Sequence, residues 1–108
     1  MDYKKSTRER ISLLEYRIRK CSESIDEAIA NNEPIPMNLI IEARHYRLQI
    51  DIMKLREAIE QSTDSTKLES PKRIRLQTLI GRAKELGRIN AMLQDFSRQG
   101  RDISITVL

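Results

Sequence analysis

Few residues of this chain could take part in catalysis or metal binding. It has one histidine, His45, and one cysteine, Cys21. A general base needs an oriented partner and a substrate cleft, and a metal site needs several ligands at characteristic spacings. The sequence contains no paired histidines at helical spacing and no glycine-rich phosphate loop. We therefore expect a protein that is not an enzyme, with no metal, no cofactor and no small-molecule substrate.

His45 and Cys21 both fall within apolar rows that recur at three- and four-residue spacing. His45 precedes Leu48 and Ile52 in one row, and Cys21 follows Ile18 in another. Side chains at these spacings share one face of a helix, so the favoured interpretation for both residues is packing. A pH-sensitive contact at His45 and a reactive thiol at Cys21 are the functional alternatives.

Basic side chains are the one pattern that points to a binding partner. Residues 71–101 carry eight basic and two acidic residues, whereas the whole chain has a net charge of +4. If this segment forms a helix, a helical wheel places Arg73, Lys84 and Arg88 on the face opposite the leucines of the same segment. Such a face could contact phosphates or an acidic protein surface, and a solvated face that aids solubility is the alternative interpretation.

A second pair of basic residues, Arg75 and Arg82, flanks the leucine row of the same predicted helix. Their position favours ion pairs with carboxylates of a neighbouring helix, such as Glu42 or Glu60. Arg75 and Arg82 are also candidates for contact with a partner or with nucleic acid.

The elements that must position these residues are three long helices. Apolar residues at three- and four-residue spacing predict helices over residues 7–30, 37–61 and 71–99, a linker at 62–69 and an extended tail at 100–108 that docks or frays. Ser6 and Glu9 have the spacing of a capping box, and two asparagines end the first helix. The short turn containing Pro34 and Pro36 predicts an antiparallel pairing of the first two helices. The fold class is therefore all-α, an antiparallel helical hairpin plus a third long helix in a single domain.

The second helix should be the centre of this fold, because its apolar residues form two rows. The row through His45, Leu48 and Ile52 is accompanied by a second row through Tyr46 and Ile50, which we expect to lie alongside it. A helix with so wide an apolar face needs partners on two sides.

The composition favours self-association. Hydrophobic residues make up 39% of the chain and aromatic residues only 4%, so one copy builds a thin core, and bundles of this kind often complete their core with a second copy. We therefore expect a homodimer. Asn90 either fixes the register of the dimer, as polar residues within an apolar seam do, or turns outward and bonds to water. The predicted oligomer seam consists of His45, Leu48, Ile52, Leu55, Leu79, Leu86, Asn90 and Leu93.

Three interpretations of the function remain open at this point, and the first two belong to different classes. The first is a small non-catalytic protein-binding module that acts through helical surfaces as an adaptor, inhibitor or chaperone. The second is a double-stranded nucleic-acid binder that contacts the phosphate backbone through the basic third helix. A third interpretation is a regulatory subunit whose tail adds a strand to a partner sheet. The absence of a long apolar run predicts no membrane span, and we expect a cytoplasmic protein.

Overall fold

Three helices account for most of the structure, a computed structural model that describes residues 6–61 and 71–105. Helix α1 spans Thr7–Ala30, α2 spans Met37–Gln61 and α3 spans Pro71–Arg98. Two short strands, β1 (Ile35–Pro36) and β2 (Ser104–Ile105), form a minor antiparallel sheet. The prediction of an all-α bundle is confirmed. The predicted linker at 62–69 and the last three residues of the predicted tail lie outside the described residues.

Local capping residues set both ends of α1. The Oγ atom of Ser6 accepts a hydrogen bond from the backbone N–H of Glu9 at 3.2 Å, which satisfies one free donor of the first turn. At the other end Asn32 adopts a left-handed backbone conformation with φ of 54°. The N–H of Glu33 then donates to the carbonyl of Ala28 at 2.8 Å, so the helix ends in a hydrogen-bonded turn.

Helix α2 is the central element, because α1 and α3 each pack along it and make few contacts with each other in the described part of the chain. Its buried residues Ile50 and Ile52 are two positions apart, which places them about 200° apart around the helix axis. Ile50 lines a cleft with α1 residues, whereas Ile52 lines a cleft with α3 residues. The expectation that the two apolar rows lie alongside each other is therefore wrong: they lie on opposite sides of α2. The expectation of partners on two sides agrees with the observed packing.

The core is thin and the fold is elongated. Among the described residues seven hydrophobic side chains are buried, and none of them is completely inaccessible: Leu14, Cys21, Ala28, Ile35, Ile50, Ile52 and Leu79. The radius of gyration is 17.2 Å, compared with about 13 Å for a compact domain of this length. A row of three helices leaves the faces of α2 that lie between α1 and α3 partly uncovered.

The tail folds back onto the turn between α1 and α2. Gly100, with φ of 78°, ends α3 and reverses the chain direction. Ile105 then pairs with Ile35, which is buried, in the β1–β2 ladder. The N–H of Met37, at the start of α2, donates to the carbonyl of Ile103 at 2.9 Å. The tail thus provides an acceptor for a free N–H at the N-terminus of α2. Up to residue 105 it packs against its own chain.

Candidate functional site

The basic residues predicted on α3 do not form one surface. Lys84, Arg88, Arg75 and Arg82 are exposed, whereas Arg73 is partly buried. Arg73 is therefore less accessible to a partner than Lys84 and Arg88 are. Lys84 lines a cleft on one side of the α2–α3 contact, and Arg82 lines a groove on the other side.

The expected ion pairs from α3 to α2 are not formed in the described part of the chain. The ion pairs found there join Lys20 to Glu23 at 3.5 Å and Arg98 to Asp95 at 3.7 Å, each within one helix. Arg75 and Arg82 therefore have charges that are not neutralised by a carboxylate in a neighbouring described helix.

The predicted oligomer seam lies at the contact between α2 and α3 of the same chain. Ile52 and Leu79 are buried there. Leu48 and Leu86 line one groove together, and His45 lines a cleft with α3 residues on the other side. Leu55, Asn90 and Leu93 are partly buried on the same two helices. These residues are used within the chain, so a dimer would need another surface.

Asn90 has an unsatisfied polar atom at this contact. Its Oδ1 atom is buried and has no hydrogen-bond partner among the described residues. A buried acceptor without a partner costs about 1–3 kcal/mol of desolvation. Asn90 therefore does not turn fully outward to water, which was one of the two expectations for it.

Cys21 is buried on α1 as the sequence pattern predicted, and its environment disfavours the thiolate. Burial, and to a smaller extent the negative charge of Glu42, raise the pKa of the Cys21 thiol. The thiolate is the nucleophilic form, so Cys21 is poorly suited to attack a substrate. In the described part of the chain no group of three His, Cys, Asp or Glu residues could hold a metal ion.

A groove lies over α2, bordered by α1 on one side and α3 on the other. It has a volume of about 640 Å³ and receives residues from all three helices. Five of its lining residues are apolar, three are arginines and one is acidic. In chain order they are Ile18 from α1, Ala43, Arg44, Arg47 and Leu48 from α2, and Arg82, Glu85, Leu86 and Ile89 from α3.

A second cleft, between α1 and α2, continues this groove. It shares Ile18 and Arg47 with the first and has a volume of about 370 Å³. Its other lining residues are Glu15, Arg19, Ser22, Ile50 and Lys54. The two clefts together follow α2 from Ala43 to Lys54, which is about 16 Å along the helix axis. We refer to the combined surface of both clefts as the basic groove.

Sequence reasoning missed the basic residues of α2. Arg44, Arg47 and Lys54 recur at intervals of three and seven residues, so they share one side of the helix. Arg44 and Arg47 form no ion pair among the described residues. The spacing of these basic residues is visible in the sequence, but they lie between the two apolar rows of α2. They line a groove only because the two rows pack against opposite neighbours, α1 and α3.

Comparison with protein-family models, with curated proteins and with solved structures finds no match for this chain. Among the described residues no helix is both long enough and apolar enough to cross a membrane. The function of this chain is therefore inferred from the geometry and chemistry of the basic groove.

Proposed function

We propose that this chain is a small non-catalytic protein-binding module that receives a helix of a partner protein in the basic groove. The observation that carries the proposal is an open groove with five apolar lining residues contributed by all three helices. Apolar surface left in water is unfavourable, and covering it with a partner's apolar side chains is the main driving force of association. Helix-in-groove recognition uses surfaces of this kind.

The packing of the bundle supports the same proposal. α1 and α3 lie on opposite sides of α2 and make few contacts with each other. Side chains such as Ile18 and Leu48 are consequently only partly buried at the groove. A further helix over α2 would bury them as a fourth helix does in a bundle. A cytoplasmic location belongs to this proposal, because a chain with one cysteine has no disulfide framework that requires an oxidising compartment.

The proposal is tested with two isoleucine-to-glutamate variants and a neutral amphipathic peptide. The peptide has about 18 residues, five helical turns, with a leucine row on one side and glutamine on the other. Ile89 lines the groove and is 41% exposed, and Ile74 lies on α3 outside the groove and is 57% exposed. Both sites tolerate a carboxylate without burying it.

Fluorescence anisotropy of the labelled peptide then measures its affinity for each variant, at micromolar protein, where we expect the chain to be monomeric. We expect Ile89→Glu to weaken peptide binding at least about tenfold, because a carboxylate must be desolvated at the groove wall. The matched control Ile74→Glu should bind as the wild type does. Equal losses in both variants, or no binding to the wild type, would refute the groove as the binding surface.

Homodimerisation is a second part of the proposal and uses the outer face of α3. Ile74 and Met92 on this face are 57% and 55% exposed. Gly81 lies between them, and nothing comes within 4 Å of the position of a Cβ atom there. A mid-helix glycine costs about 1 kcal/mol relative to alanine, and the close approach of a second copy's helix would offset that cost.

Light scattering over a concentration series tests the dimer. We expect the mass to rise from one chain to two between micromolar and millimolar protein, and thermal stability to rise with it. Met92→Glu should keep the protein monomeric throughout. A wild type that stays monomeric across the whole range would contradict the dimer.

Duplex nucleic acid remains the second candidate function, because Arg75, Arg82, Lys84 and Arg88 are exposed on α3. These residues lie on different sides of the helix, so a duplex could contact only some of them at once. Backbone binding would show a log–log salt dependence with a slope of about −0.9 per phosphate neutralised. A submicromolar complex with a duplex of about 20 base pairs that survives about 150 mM salt would favour this candidate over protein binding.

A further inference from the structure

The lining of the basic groove has an excess of positive charge. Its two clefts contain five basic and two acidic side chains. The basic residues are Arg19, Arg44, Arg47, Lys54 and Arg82, and the acidic ones are Glu15 and Glu85. Asp51 does not line either cleft but follows Arg47 by one helical turn, and including it still leaves an excess of two positive charges.

These charges stand next to apolar side chains rather than on an all-polar surface. Arg44 and Arg47 line the same cleft as Ala43 and Leu48, and Arg82 lines it with Leu86. Arginine binds carboxylates through two parallel N–H donors, and such pairs strengthen when water is excluded around them. A ligand that covers the apolar residues would therefore also bring carboxylates into a favourable environment.

We infer that the occupant of the basic groove is an acidic amphipathic helix of a partner protein, with an apolar row flanked by Glu or Asp. This inference rests on the proposed function and specifies its partner. The groove runs for about 16 Å along α2, which matches three helical turns of the occupant. Helices pack at interaxial distances of about 8–10 Å, so a helix laid over α2 contacts α1 on one side and α3 on the other.

A second copy of this chain does not fit the groove on grounds of charge. α1 and α2 each carry equal numbers of basic and acidic residues, and α3 carries seven basic and two acidic residues. None of the three helices is therefore net acidic. Nucleic acid fits less well for a different reason: a phosphate backbone has no apolar surface to cover Ile18, Leu48 and Leu86.

Three peptides test the inference on the full chain. They share a length of about 18 residues and one leucine row, and carry Glu, Gln or Lys at the positions flanking that row. Affinity is measured by fluorescence anisotropy at about 50 and about 300 mM NaCl, conditions in which screening differs strongly. We expect the Glu peptide to bind about tenfold more tightly than the Gln peptide at low salt, the product of three exposed ion pairs worth about twofold each. The ratio of these two affinities should fall at about 300 mM NaCl, because salt screens the ion pairs.

A charge reversal in the groove provides the matched comparison. Arg44 and Arg47 are exposed and form no ion pair among the described residues, so replacing them leaves the packing intact. The double variant Arg44→Glu/Arg47→Glu should prefer the Lys peptide. Arg56 and Arg101 are exposed and line neither cleft. The control Arg56→Glu/Arg101→Glu, with the same change in net charge, should keep the preference for the Glu peptide.

The outcomes separate this inference from the proposed function. If the Gln peptide binds as tightly as the Glu peptide and Ile89→Glu weakens both, the groove binds helices but the acidic partner is wrong. If no peptide binds, the proposed function fails together with the inference. A duplex of about 20 base pairs that binds more tightly than the Glu peptide, and loses affinity in Arg44→Glu/Arg47→Glu, would overturn the inference in favour of nucleic acid.

Discussion

Truncation of Ile50 should strongly destabilise the bundle, because Ile50 is among the most buried side chains that the structure describes. It is 2% exposed and lies at the α1–α2 contact. Ile50→Ala removes three carbon atoms, which at about 0.8 kcal/mol each gives about 2.4 kcal/mol of lost transfer free energy. A residual cavity adds to this, but the neighbouring cleft is open and lets the surroundings relax. We therefore expect a loss of about 2.5–3.5 kcal/mol, in the lower half of the range for such substitutions.

The matched control is Ile74→Ala, the same substitution at a side chain that is 57% exposed. Its free energy of unfolding should change by less than about 1 kcal/mol. Urea unfolding followed by far-UV circular dichroism measures both changes, at one micromolar protein concentration where we expect all variants to be monomeric. If Ile50→Ala costs no more than Ile74→Ala, then α1 does not pack on this side of α2 and the arrangement of helices described above is refuted.

Three further predictions concern the tail, the buried acceptor and the cysteine. Deleting residues 103–108 removes the hydrogen bond from the Met37 amide to the Ile103 carbonyl. Hydrogen exchange at Met37 should become faster, and the free energy of unfolding should fall by about 0.5–1.5 kcal/mol. Unchanged exchange at Met37 would mean that the tail does not dock. Asn90→Leu should raise the free energy of unfolding by about 1 kcal/mol, because it removes a buried acceptor that has no partner. A loss of stability in this variant would show that water or another group hydrogen-bonds to Asn90. The pKa of Cys21 is raised in the folded state, so folding favours the neutral thiol, and stability should fall as pH rises above the unfolded-state value of about 8.5. Cys21→Ala should abolish that part of the pH dependence, and a rise of wild-type stability over the same range would contradict the burial of the thiol.

Most of the helical architecture could be predicted because it depends on local sequence. The apolar spacing in α1 and α2, the Ser6 cap and the prolines between them act over a few residues each. The left-handed Asn32 likewise follows from a residue type that tolerates this conformation. Such signals determine where a helix starts and ends without knowledge of the rest of the fold.

The location of the groove could not be predicted, because it depends on how α1 and α3 are placed around α2. The two apolar rows of α2, one through Ile50 and one through Ile52, fit either one wide interface or two opposite ones. Only the second arrangement leaves Arg44 and Arg47 in a concave surface. The excess of positive charge lies on α3, whereas α2 carries equal numbers of basic and acidic residues. A count of charges per helix therefore does not reveal the basic side of α2.

The central claim, that the basic groove is the binding surface, is tested most directly by methyl NMR of the 12.6 kDa chain during titration with the Glu peptide. Methyl groups of Ile18, Leu48 and Leu86 line the groove from α1, α2 and α3 respectively. We predict that their resonances shift together and saturate at one peptide per chain, while those of Ile74 and Ile80, which do not line the groove, stay in place. Shifts confined to Ile74 and Ile80, or saturation without any change at Ile18, Leu48 and Leu86, would contradict the account.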